Sequence, residues 1–111
     1  MSDCLFCKIV DGSIPSKKVY EDEHILAFHD IYPKAKTHFL VIPKKHIESL
    51  AQLSADDQAL MGHMMTKIPE LALAEGLGNG FRTIANTGPG GGQEVPHLHF
   101  HILGGGKLPG F

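Results

Sequence analysis

At 111 residues, with 42% apolar and 20% charged side chains, the chain is long enough for one hydrophobic core and too short for two. Its formal charge of −2 argues against the long basic footprint that a nucleic-acid polymer needs, although backbone amides can still hold a small anion. No run of about 18 apolar residues exists to span a membrane, and Met1-Ser2-Asp3-Cys4 lacks the basic and apolar runs of a leader, so the sequence reads as cytoplasmic.

Cys4 to Val10 reads as a short helix, with Leu5, Phe6 and Ile9 apolar, ended by Asp11-Gly12-Ser13. Cys4 and Cys7 make a C-x-x-C pair. In a cytosolic chain that spacing points to metal or redox chemistry more than to a structural disulfide, with two reduced thiols as the plain alternative. Val19-Tyr20 and Ile25 to Phe28 read as strands joined by a Glu21-Asp22-Glu23 turn. His38 to Ile42 is a buried strand stopped by Pro43.

Ser54-Ala55-Asp56-Asp57 is a helix-start pattern. The helix should run to about Glu75 on an apolar stripe of Leu60, Met61, Met64, Met65, Ile68 and Leu71 or Ala72. Pro69 should kink it, and Gly76 and Gly78 should end it. Phe81 to Ala85 is a strand, Asn86 to Gly92 a loop, and Val95 to Leu103 the final strand. The order predicts one α+β domain over residues 1–111: an antiparallel sheet of about five strands, a short N-terminal helix and one long helix on a face of the sheet.

His97, His99 and His101 alternate with Leu98, Phe100 and Ile102. A period of two puts the imidazoles on one face and the apolar side chains in a core. Three readings follow: a three-histidine metal site, a catalytic strand in which one imidazole attacks an electrophile, or a hydrogen-bonded polar patch. Gly88, Gly90, Gly91 and Gly92 precede the strand and allow close backbone approach to an anion, and Gln93 can donate from its amide. A phosphorus centre held there would face an imidazole, although a glycine run is also an ordinary hairpin connection.

The stretch His97-Leu98-His99-Phe100-His101-Ile102-Leu103 resembles the signature of the histidine triad (HIT) family. Gly91-Gly92-Gln93-Glu94-Val95, Gly104-Gly105, Leu26-Ala27-Phe28-His29-Asp30-Ile31 and Thr37 to His46 (THFLVIPKKH) are similar to its Hint branch of purine nucleoside phosphoramidases. The likeness runs from Phe6 to Gly105. It implies the HIT fold and hydrolysis of the P–N bond of AMP or GMP phosphoramidates through a nucleotidyl-histidine intermediate.

By this resemblance His99 is the nucleophile, His101 orients the site, and Gln93 with the Gly92 region holds phosphate oxygens. Asp30 binds both ribose hydroxyls, and Asn86 contacts the sugar-phosphate. Phe6, Ile9, Phe28, Ile31 and Leu40 line the purine slot, and His29 and Val95 join the substrate-binding set from the same motifs. Glu94 stands where some members carry a proton-donating serine. Pro96 replaces a more usual aromatic residue.

The resemblance further implies a structural zinc on Cys4, Cys7, His46 and His97, no organic cofactor, and a homodimer built on the long helix and the strand near Phe81 to Ala85. The expected partner is a purine nucleoside monophosphate or phosphoramidate, with no nucleic-acid polymer and no membrane. Alternatives are a dinucleoside polyphosphate hydrolase of the same superfamily, a non-catalytic nucleotide-binding module, and a metalloenzyme on His97, His99 and His101.

Overall fold

The computed structural model describes residues 3–111; Met1 and Ser2, part of the 1–111 domain expected above, lie outside the described residues. Helix α1 spans Leu5–Val10, and the Cys4 sulfur caps it by accepting from the Cys7 backbone N–H at 3.3 Å. Strands β1 (Lys18–Glu21), β2 (Ile25–His29) and β3 (Thr37–Pro43) follow, then helix α2 (Gln58–Ala74), β4 (Phe81–Ile84) and β5 (Phe100–Gly104). The five strands form one antiparallel sheet in the order β1-β2-β3-β5-β4.

Strand alternation gives the sheet two apolar faces. Ile25, Ala27, Phe39, Val41, Phe100 and Ile102 pack against Met64, Ile68, Leu71 and Ala72 of α2. On the other face Leu26, Phe28, Leu40 and Ile42 pack against Phe6 and Ile9 of α1. No helix among the described residues is long and apolar enough to cross a membrane.

The predicted start of α2 holds, with one refinement. Ser54 and Asp57 close a reciprocal capping box around a short 3₁₀ turn at Ala55–Asp57, and the α-helix proper begins at Gln58. At the other end Gly76 (φ +84°) takes the left-handed conformation. Its N–H bonds to the Leu73 carbonyl and that of Leu77 to Ala72, two bonds that satisfy the last helical carbonyls and seat Leu77 in the core. The helix is continuous through Pro69. Only part of the predicted stripe is core. Met64 is fully enclosed, Leu60 and Met61 pack at its margin, and Met65 faces outward at 40% exposure.

Two loop regions differ from expectation. The glycine loop contains a 3₁₀ turn at Pro89–Gly91. The final strand begins at Phe100 rather than Val95. Pro96 has no N–H to give to a ladder, and its neighbours bond elsewhere: His97 N–H to the Val95 carbonyl at 2.8 Å, and Leu98 N–H to Ile47 at 2.7 Å. The alternation of sides survives without the ladder. Leu98 joins the α2-side core, while His97 and His99 meet Phe6 of α1.

Candidate active site and metal-ligating cluster

The face that carries α1 also carries a cleft of about 460 Å³. One wall is apolar, from Phe6, Ile9, Phe28, Ile31, Leu40 and Val95. His99 and His101 form the floor, and His29, Asp30, Asn86, Gly92 and Glu94 complete the sides. Ile31 serves this wall while 82% exposed. A second depression of about 610 Å³ runs along Gly76, Leu77, Arg82, Gly104 and Lys107, and it brings together no histidine or carboxylate.

Hydrogen-bond partners assign the tautomers of the histidines. His99 Nδ1 lies 2.6 Å from the His97 carbonyl, which can only accept, so Nδ1 carries the proton. Its Nε2 has no partner among the described residues and is open to the cleft. His38 Nδ1 accepts the Lys34 backbone N–H at 3.0 Å, so a neutral His38 is protonated on Nε2. That Nε2–H donates to His101 Nδ1 at 2.9 Å, which leaves the His101 proton on Nε2. The cleft therefore holds an unprotonated imidazole nitrogen beside an imidazole N–H, their rings 5.0 Å apart.

Burial lowers the pKa of His99 and of His38, Asp30 acting in the opposite direction on both. Burial, reinforced by neighbouring His99 and His38, brings His101 down to about 4. These directions keep the three rings neutral at physiological pH. Ring-proton NMR across a pH titration should show His101 still neutral at pH 5.5. A His101 midpoint at or above the ordinary value of about 6.5 would contradict this arrangement.

Gln93 is placed differently from the expectation. Both its amide protons are spent, on the carbonyls of Glu48 (2.8 Å) and Val95 (2.9 Å), and its Oε1 accepts from Gly88 N–H at 2.8 Å. It braces the glycine loop from behind and does not line the cleft. The left-handed Gly92 (φ +82°) then turns the chain back toward the histidines. Asp30 keeps one oxygen on the Tyr32 N–H at 2.7 Å and holds the other 3.5 Å from His38 Nε2.

Cys4, Cys7, His46 and His97 bring one ligand atom each to within 4.8 Å of one another and could hold a metal ion. His97 Nε2 lies 2.8 Å from the Pro43 carbonyl, so its proton is there and the Nδ1 lone pair faces the sulfurs. This is the outer-sphere hydrogen bond that orients a ligating histidine. The contacts are 3.3 Å from Cys4 Sγ to His97 Nδ1, 3.6 Å from Cys7 Sγ to His97 Nδ1, 3.3 Å from Cys7 Sγ to His46 Nδ1, and 3.2 Å between the two nitrogens.

A metal centre on His97, His99 and His101 is corrected by the same geometry. Their Nδ1 atoms go to three different places: the cysteines, the His97 carbonyl and His38. Asp30, His38 and His101 also fall within 4.8 Å of each other. There, however, the Lys34 N–H keeps the proton of His38 on Nε2, the atom that would have to ligate.

The sequence matches the HIT domain family model over residues 11–108. The chain belongs to the HIT family. It is 54% identical over 104 residues to protein HitA of Neisseria gonorrhoeae, covering 94% of this chain and 97% of that protein. Among solved structures, a HIT family hydrolase from Legionella pneumophila superposes with a TM-score of 0.93 at 49% identity, covering 96% of each chain. A histidine triad protein from Clostridium difficile gives 0.95 at 49% identity, covering 100% of this chain and 97% of that one.

Within this HIT chain, the residue that sequence reasoning missed is His38. It heads an apolar run and reads as the first residue of a buried strand. In the β3–β5 register it opposes Leu103, which makes His101 its diagonal neighbour on the same face.

Proposed function

We propose that this HIT chain is a cytoplasmic single-domain hydrolase that cleaves the P–N bond of purine nucleoside phosphoramidates. The observation that carries the reading is the tautomer-fixed pair: His99 Nε2 bare and open to the cleft, His101 Nε2 protonated beside it. The purine lies against Phe6, Ile9, Phe28, Ile31 and Leu40, the ribose hydroxyls against Asp30, and the phosphate near Asn86 and Gly92. His99 Nε2 bonds to the α-phosphorus as the P–N bond breaks. The departing nitrogen takes the His101 Nε2 proton, while His38 Nε2–H, bonded to His101 Nδ1, orients that ring. Water then attacks the phosphorus, its proton passes to His101 Nε2 and the bond to His99 breaks, so that one water is consumed and AMP and an amine are released.

Incubation with the phosphoramidate of AMP, followed by intact-protein mass spectrometry, tests this. AMP release and a transient nucleotidyl adduct on His99 are expected. Faster turnover of a dinucleoside polyphosphate than of the phosphoramidate would assign the chain to the polyphosphate-cleaving branch instead.

The four-residue cluster is proposed to hold zinc in a structural role. With Zn–S near 2.3 Å and Zn–N near 2.05 Å, a tetrahedral site has S–N edges of about 3.5 Å and N–N edges of about 3.3 Å. The contacts of 3.2–3.6 Å match those edges. Zinc there would fix α1 and His97, and no catalytic step passes through it.

A homodimer is proposed through the open edge of β4 and the outer side of α2. β4 is an edge strand carrying the exposed Phe81, and α2 leaves Met65 and Leu73 (69% exposed) outward. Met64, on the same stripe, takes no part in this surface, because it lies inside the chain's own core. Leu73→Glu should convert a sedimenting dimer to folded monomer; a wild-type monomer at micromolar concentration would refute the dimer.

A further inference from the structure

The cleft is lined by two charges of opposite sign that no ion pair engages among the described residues. Glu94 is exposed, lines the cleft and has no ion-pair or hydrogen-bond partner among the described residues. Lys34 also lines the cleft without an ion-pair partner among the described residues. It stands in the loop after β2, close in sequence to Asp30, whereas Glu94 follows the glycine loop that precedes β5.

The backbone at Glu94 is held. Gln93 before it makes three side-chain bonds, and the Val95 carbonyl after it accepts from both Gln93 Nε2 and His97 N–H. An exposed carboxylate on a braced loop, two residues beyond the Gly92 proposed to lie near the phosphate, lines the same cleft and is positioned to meet whatever extends from the phosphorus. With the ribose on the Asp30 side, that extension is the leaving group.

Resting on the phosphoramidase reading, we propose that Glu94 selects the leaving amine by charge: the favoured substrates are phosphoramidates of AMP whose amine carries a second, cationic group. A primary ammonium a few methylenes beyond the P–N nitrogen would reach the carboxylate, whereas an anionic tail would be repelled. The pair sits at a solvent-exposed mouth, so its worth is that of a surface ion pair, about fivefold at low salt, and it weakens as salt is added.

Three AMP phosphoramidates of similar length test this: those of 1,3-diaminopropane, propylamine and β-alanine, with cationic, neutral and anionic tails. The quantity read is the ratio of kcat/KM for the cationic over the anionic compound, compared between wild type and Glu94→Gln. That comparison cancels the intrinsic reactivity of each amine. Wild type should exceed Glu94→Gln in this ratio by about tenfold at low ionic strength, attraction and repulsion each contributing, and the excess should shrink with salt.

Equal ratios in the two proteins would overturn the proposal. So would an equal loss on all three compounds, which would make Glu94 a proton donor instead. Dissociation constants of the three compounds on His99→Asn, with and without Glu94→Gln, give the same comparison without turnover. Charge-blind binding there, together with wild-type turnover of the propylamide, sinks the selection while keeping the phosphoramidase. Charge-ranked binding that depends on Glu94, with no turnover by wild type, does the reverse.

Discussion

Replacing His99 with alanine should cut turnover of an AMP phosphoramidate by at least about 10⁴-fold, while AMP affinity changes by less than about tenfold. The asymmetry follows from what the side chain touches. Its Nδ1 bonds to a backbone carbonyl, and its Nε2 alone faces the cleft. The apolar wall and the Asp30 carboxylate belong to other elements and stay in place. Steady-state kinetics with calorimetric AMP binding separates the two quantities. Near-normal turnover by the variant would remove His99 from the nucleophile's role. A parallel loss of binding and turnover would make it a packing residue.

Stripping metal from the cysteine–histidine cluster should lower the unfolding midpoint by at least about 10 °C, since a bound structural metal contributes many kcal/mol and each kcal/mol moves a chain of this size by roughly 4–8 °C. It should also raise KM for the nucleotide more than it lowers kcat. Helix α1 has six residues, well below the length of about 12 at which an isolated helix persists in water. Its cap is the Cys4 sulfur, and its Phe6 and Ile9 are both core and cleft wall. Releasing Cys4 and Cys7 loosens the wall, whereas His101 and His38 hold each other from β5 and β3. Calorimetry and kinetics of chelated protein or of Cys7→Ser check this. An unchanged midpoint and KM after verified metal removal would show the cluster to be idle.

The fold was legible wherever one physical signal sufficed. The period of two placed His97, His99 and His101 opposite Leu98, Phe100 and Ile102. The Ser54 capping box and the Gly76 terminus bracketed α2 to within a few residues. Period alone, however, reports which side a residue faces and not whether its backbone is in a ladder, so the last strand was drawn five residues too early at Val95. The stripe on α2 carried no label for which part meets the chain's own sheet, so Met64 and Met65 looked alike. Gln93 was correctly seen as a donor, but only the fold shows that Glu48 and Val95 consume both its protons. His38 stayed hidden because its meaning comes from a partner 63 residues away.

One consequence of the cap on α1 reaches beyond stability. Phe6 sits edge-on to His99 at 5.0 Å, and to His97 at 5.9 Å. The same ring is thus shared by the wall proposed for the nucleotide and the cluster proposed to hold zinc. A metal and a nucleotide that both order this helix would be coupled, and the coupling is reciprocal: whatever factor metal adds to nucleotide affinity, nucleotide must add to metal affinity. A saturated enzyme should surrender its ion to a competing chelator more slowly than an idle one, so that in metal-poor surroundings the substrate itself helps to keep the protein loaded.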